Sequence, residues 1–152
     1  MDPAILIAVA DVLLRDSYAL LFAEQGYRVV TASGGLDCLN KLCRVVPEVL
    51  VLDKELLWGG GDGVLAVLRG GGNTLWPPVI LLTHDRSDGL HNAQPAPVVI
   101  CLQKPIRLDD LLIKVEFVRS NGQSAFPKTA QEPALPNSIG VASRFLNSPS
   151  GS

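Results

Sequence analysis

The sequence predicts an α/β fold, a doubly wound sheet of five parallel strands, and three observations carry that prediction. Short aliphatic runs recur at residues 4–9, 27–32, 48–53, 77–83 and 96–102. Several of them are apolar at successive positions, as a strand covered by helices on both sides must be. Between the runs lie segments with helical spacing of apolar residues, and parallel strands need such long crossovers to connect them.

The elements follow in order. "AILIAV" (Ala4 to Val9) reads as the first strand. After it, Leu14, Tyr18, Leu21 and Gln25 fall on one helical stripe with Leu13, Ser17 and Leu20 beside it. Asp11 stands as the N-cap and Gly26 as the stop. "YRVVTA" is the second strand. In "SGGLDCLNKLCRVV" the residues Leu36, Leu39, Leu42 and Cys43 have helical spacing, and Pro47 breaks the helix. "EVLVLD" is the third strand, and "DGVLAVLRGGG" a short helix capped by Asp62 and ended by glycines. "PPVILLT" and "APVVICL" are the fourth and fifth strands. Leu108, Leu111, Leu112, Val115 and Val118 mark one face of the last helix. The fourth helix is degenerate: between Thr83 and Val98, Gly89, Pro95 and Pro97 leave room for about two turns at most.

Residues 1–119 make one domain by this reading. From Ser120 the chain turns Ser/Pro/Gly/Asn-rich without a period, so residues 120–152 are expected to be a disordered tail. Within it Ile139, Val141, Phe145 and Leu146 are read as a candidate short docking segment, and an unstructured terminus is the plainer expectation.

At 47% hydrophobic and 18% charged, the 152 residues are able to build a sizeable core. A net charge of -2 without a Lys/Arg cluster argues against direct nucleic-acid binding. The start lacks a basic region and carries Asp2, Asp11 and Asp16, so neither a signal peptide nor a membrane span is expected, and the cytoplasm is. Cys38, Cys43 and Cys101 have no CxxC spacing and are read as packing residues in a reducing compartment.

Ligands of open α/β sheets bind beyond the carboxyl ends of the strands. Asp11 follows the first strand, Asp53 ends the third, Thr83 ends the fourth, and Lys104 with Pro105 follows the fifth. Each alone is a common cap or turn residue; together they converge on one edge. Their chemistry is phosphoryl transfer. A carboxylate attacks phosphorus to form an acyl phosphate, a divalent cation bridges the two anions, and a lysine and a hydroxyl hold phosphoryl oxygens.

With "VLVLD" ending in Asp53, "VILLT" ending in Thr83, and "QKP" at Gln103 to Pro105 before an amphipathic final helix, the sequence resembles the receiver domain of bacterial two-component response regulators. The Asp-to-Thr spacing fits as well, and the resemblance covers roughly residues 4–118. It implies a flavodoxin-like sheet of receiver type with Asp53 as phosphoacceptor. Thr83 becomes the switch hydroxyl and Lys104 the phosphoryl-contacting lysine. It further implies Mg2+ as the cation, a histidine kinase or phosphotransfer protein as donor, and a downstream protein partner.

The departures from the family are equally specific. Receivers carry two adjacent acids after the first strand to hold the magnesium; here those positions are Val9 and Ala10, and Asp11 comes one residue late. Asp11 is therefore read either as a metal ligand or as a helix N-cap. Magnesium binds through oxygen and keeps several waters, so fewer carboxylates mean a weak site. Glu55 falls where the family lends a backbone carbonyl to the metal, though an exposed surface side chain is its plainer reading. Trp58, in the long "LLWGGGDG" loop, is read as a pocket cover, a partner anchor or a residue packed on its own loop. His84 stands where the family prefers a small residue and is read as a gate or an exposed loop histidine. Cys101 replaces the usual aromatic switch residue, so threonine–aromatic coupling cannot run in its ordinary form.

Three functions remain in view. The first is a single-domain receiver that signals through protein contacts. The second is a pseudo-receiver, an interaction module that works without phosphorylation. The third is a small aspartyl-phosphate phosphatase, kept alive by Glu55 two residues after Asp53. No glycine-rich phosphate loop follows the first strand, which argues against a nucleotide or flavin carrier. A non-enzymatic signalling protein is the expectation.

Overall fold

Strands form where short aliphatic runs lie between the helical segments. In the computed structural model, which describes residues 4–57, 59–70, 76–85 and 95–125, they are β1 (Ala4–Ala8), β2 (Arg28–Ala32), β3 (Val49–Asp53), β4 (Val79–Thr83) and β5 (Val98–Gln103). Helices α1 (Val12–Glu24), α2 (Gly35–Val45), α3 (Gly60–Gly70) and α4 (Leu108–Ala125) complete the described elements. The chain divides into two units, Met1–Arg119 and Ser120–Ser152.

All pairings are parallel and the strand order is β2-β1-β3-β4-β5. The chain steps outward from β1 to β2 and then returns past β1 to β3, so the order reverses between β1 and β3. Every residue of β1, β3 and β4 is buried, whereas the edge strands β2 and β5 are partly open. Alternate residues of the central strands feed two cores. Leu6, Leu50, Leu52 and Leu81 meet Cys38 and Leu42 of α2 and Val64, Leu65 and Leu68 of α3. Ile5, Ile7, Val49, Val51 and Ile80 meet Tyr18 and Phe22 of α1 and Leu111, Val115 and Val118 of α4. This is the doubly wound arrangement, and the strand alternation divides one aliphatic run between two layers.

The helices depart from their expected faces. In α1 the buried residues are Tyr18 and Phe22, with Leu21 partly buried; Leu14 is mostly on the outside, and Leu13 and Leu20 are exposed. The segment "VLLRDSYALLFAE" is apolar on nearly every side, so periodicity alone does not choose a face. In α2 the buried pair is Cys38 and Leu42, with Leu39 beside it, while Leu36 and Cys43 face outward. The packing reading therefore holds for Cys38 and is corrected for Cys43. Leu108 is likewise exposed, and Leu111, Val115 and Val118 form the seam of α4.

Two boundaries also shift. Helix α3 begins at Gly60, so Asp62 lies inside its first turn and is not the cap. Helix α4 continues through Ala125, into the stretch expected to lack structure from Ser120. A helix already nucleated by packed residues adds further turns at little free-energy cost. The same helix is tied down at Arg119, whose Nε donates to Glu48 Oε1 at 2.8 Å and whose guanidinium lies 5.5 Å from the Tyr27 ring centroid. The expected fourth-helix stub falls mainly on residues 86–94, and Trp58 and the tail beyond 125 also lie outside the described residues.

The glycines after β3 have a steric purpose. Gly59 and Gly60 take φ of +101° and +70°, a region that side chains disfavour. A Cβ at Gly61 would stand 2.6 Å from the Asp53 carbonyl oxygen and 2.7 Å from Lys54 Cα, and the Gly61 amide donates to the Lys54 carbonyl at 2.9 Å. The start of α3 is thus pressed directly on the backbone that carries Asp53.

Gly61→Ala is accordingly expected to destabilise the fold by about 1–3 kcal/mol through overpacking. Gly63→Ala, with nothing within 4 Å of its Cβ, is expected to be neutral or stabilising by up to about 1 kcal/mol. Urea unfolding of the two variants measures both. A second expectation concerns the thiols. Burial first, then the charge of Asp37, pushes the Cys38 thiol up to about 12, so it stays neutral and unreactive in the folded protein. Mass spectrometry after iodoacetamide treatment at mildly alkaline pH should find Cys43 modified and Cys38 protected until the chain is unfolded.

Candidate functional site

Three loops meet at the carboxyl edge of the sheet. Asp53 closes β3 and is 3% exposed, and Thr83 closes β4 and is 2% exposed; they are the only buried polar residues among those described. The Lys54 amide donates to the Leu82 carbonyl at 2.9 Å, and the Lys104 amide donates to the Thr83 carbonyl at 2.8 Å. The ladder thus runs on past the strands and sets the three chain ends side by side.

A carboxylate so deeply buried requires donors on its oxygens. Lys104, just past β5, reaches across the end of β4 and places Nζ 2.5 Å from Asp53 Oδ1. The Glu55 amide donates to the same oxygen at 3.0 Å, and the Ala10 amide donates to Oδ2 at 3.4 Å. Ends of β1, β3 and β5 therefore all point a positive or partly positive group at one carboxylate. The Thr83 hydroxyl accepts from the Asp85 amide at 3.0 Å. Tyr18 is buried nearby in α1; desolvation raises its phenol pKa, and the charges of Asp53 and Asp11 add to the rise.

The outer residues form a looser layer. Glu55 Oε1 stands 3.8 Å from Lys104 Nζ and 3.5 Å from His84 Nε2, with the Glu55 and His84 side chains 55% and 61% exposed. Both are more open than Asp53, and their pairing adds little stability at such exposure. Arg15 of α1 donates from Nη1 to the Val9 carbonyl at 3.0 Å. Cys101 is half-buried against the core shared with α2 and α3.

Asp11 settles into the capping role. Its backbone is extended (φ -73°, ψ 120°) and its Oδ1 accepts from the Leu14 amide at 3.0 Å, as an N-cap does. Val9, where the family has its first acid, is 1% exposed, and Ala10 turns its amide toward Asp53. A magnesium ion needs several oxygen ligands with free lone pairs. Both Asp53 oxygens instead face N–H donors, and no cluster of three His, Cys, Asp or Glu side chains able to hold a metal occurs among the described residues. The residues present do not fit a divalent cation. The amide donors from Ala10 and Glu55 were not legible in the sequence; the loss of acids at positions 9 and 10 was the single signal that the pocket's electrostatics had changed.

The comparisons with known proteins agree with this fold. A signal receiver domain from Vibrio parahaemolyticus superposes with a TM-score of 0.72 over 82% of this chain and 95% of its own, at 21% identity. The fold is that of a response-regulator receiver domain. The chemotaxis response regulator CheY4 of Vibrio cholerae matches at a TM-score of 0.68 and 21% identity, over 78% of this chain and 99% of its own. Among curated proteins, the transcriptional regulatory protein PdtaR of Mycobacterium tuberculosis is 26% identical over 117 residues, 76% of this chain. The receiver-like chain spans 56% of that relative's length. No family model matches the chain. No helix among the described residues is long and apolar enough to cross a membrane.

The central contact of this receiver fold gives a stability prediction. Lys104→Met strands a buried carboxylate and is expected to destabilise the protein by about 3–5 kcal/mol. The double variant Asp53→Asn with Lys104→Met removes both charges and should recover most of that loss. Denaturant melts of the two single variants and the pair measure the coupling.

Proposed function

We propose that the chain is a signal-receiving module of a two-component phosphorelay, with Asp53 as phosphoacceptor and protein contacts as output. It works in the cytoplasm and is not itself an enzyme. The donor is a histidine kinase or phosphotransfer protein, and the signal passes to a downstream protein. The observation that carries this reading is the Lys104 ammonium held on the Asp53 carboxylate at the edge where receivers do their chemistry. The resemblance of the curated relative, named a transcriptional regulatory protein, supports a regulatory role. With a net charge of -2, output through protein contacts suits this chain better than direct contact with nucleic acid.

In this reading an Asp53 oxygen attacks the phosphorus of a phosphohistidine. The O–P bond forms as the P–N bond breaks, and the electron pair leaves with the imidazole nitrogen, which is then protonated from solvent. Oδ2, which receives the longer hydrogen bond, is the freer nucleophile. Lys104 follows the charge from the carboxylate to a phosphoryl oxygen, and Thr83, buried at the end of β4, supplies a hydroxyl to another. His84 and Glu55, at the outer rim, border the donor's path.

The pseudo-receiver is the second reading, and one observation favours it: the acids that would assemble a metal site are replaced by Val9 and Ala10. Acetyl phosphate labelling read by intact mass separates the two. The acceptor reading expects one phosphoryl group, added slowly, absent in Asp53→Asn and slowed about a hundredfold in Lys104→Ala. No addition from acetyl phosphate or from a phosphorylated histidine donor gives the pseudo-receiver. Turnover of a phosphomonoester that is lost in Asp53→Asn gives the phosphatase.

A further inference from the structure

A receiver pocket without its acid pair still contains a buried anion, and something must neutralise it. Three donors from three strand ends converge on Asp53: Lys104 Nζ and the Glu55 amide on Oδ1, and the Ala10 amide on Oδ2. A cation entering beside Oδ2 would meet the Ala10 N–H dipole with its positive end first, and Val9, packed into the core, offers it no ligand. Of the acids read from the sequence as metal ligands beside Asp53, Asp11 is engaged with the Leu14 amide and the Glu55 side chain lies near Lys104 and His84.

We infer that this pocket operates without a divalent cation, the counter-charge coming from Lys104 and the amides of Ala10 and Glu55. The electrostatics support it. A carboxylate accepting a cationic and two amide donors already has its charge met by fixed groups in a low-dielectric site. Magnesium gives up its waters reluctantly, and one engaged carboxylate offers it little in exchange. The inference rests on the receiver reading only in taking the group that the pocket accepts to be a phosphoryl group. The cation preference itself is measurable whether or not Asp53 is ever phosphorylated.

The test is a titration of the full, isotope-labelled chain with MgCl2 and MnCl2, against NaCl at matched ionic strength. The amide signals of Ala10, Asp53 and Glu55 are expected to show neither saturable shifts with magnesium nor selective broadening with manganese. Saturable shifts at low millimolar magnesium overturn the inference. Val9→Asp combined with Ala10→Asp serves as the gain-of-function arm. A saturable response in that variant and not in the natural sequence supports the assignment, and the same response in both overturns it. Labelling by acetyl phosphate adds a second readout. Equal rates in magnesium and in chelator support the inference, and a loss of about tenfold or more on chelation overturns it. Absence of labelling in both conditions counts against the receiver reading alone, and the cation titration then decides this inference by itself.

Discussion

Burying a carboxylate at the end of a central strand is the constraint on which the rest of this structure depends. Water is removed from Asp53, which is 3% exposed, and the replacement must come from groups whose positions the fold controls. One is the ammonium of Lys104, anchored just past β5; the others are amides just past β1 and β3. Each sits where it does because parallel strands all end on the same edge of the sheet. The polar cradle is a by-product of topology, and the aliphatic strands beneath it hold its parts in register.

That dependence runs in both directions. Lys104 carries its charge on a flexible four-carbon stem, and both ends are fixed, its amide to the Thr83 carbonyl and its head to Asp53. The β5 edge strand is the less buried of the strands at this side, with most of its residues half-covered. The ion pair therefore ties an exposed edge to the sheet's centre, in the same way that Arg119 ties α4 to Glu48 at the opposite end of β3. Buried pairs of this kind add little net stability by themselves, but removing one partner is costly because it leaves the other charge buried and unmatched.

How much of this was readable from residues alone follows from the physics of each element. The three central strands were legible because "AILIAV", "VLVLD" and "VILLT" are apolar on both faces, as a sheet covered by helices on both sides requires. The contact of Asp53 with Lys104 followed from the same reasoning, since the strand ends must gather. Helix faces were less legible: α1 is apolar almost all round, and only packing against the sheet selects Tyr18 and Phe22. Asp11 had two readings, and the extended backbone with its bond to Leu14 chose the cap. The start of α3 escaped because glycine carries no helix signal, whereas here it is the residue that allows close approach. The donors on Asp53 escaped for a plainer reason: backbone amides have no letter in a sequence.

The same close approach has a mechanical consequence. At most contacts between a strand end and a helix, side chains lie between the two backbones and absorb small displacements by changing rotamer. Gly61 leaves no such cushion, so main chain rests on main chain at the very peptide that carries Asp53. A shift of the Asp53 peptide therefore presses on the first turn of α3 with no side chain in between to take it up by changing rotamer.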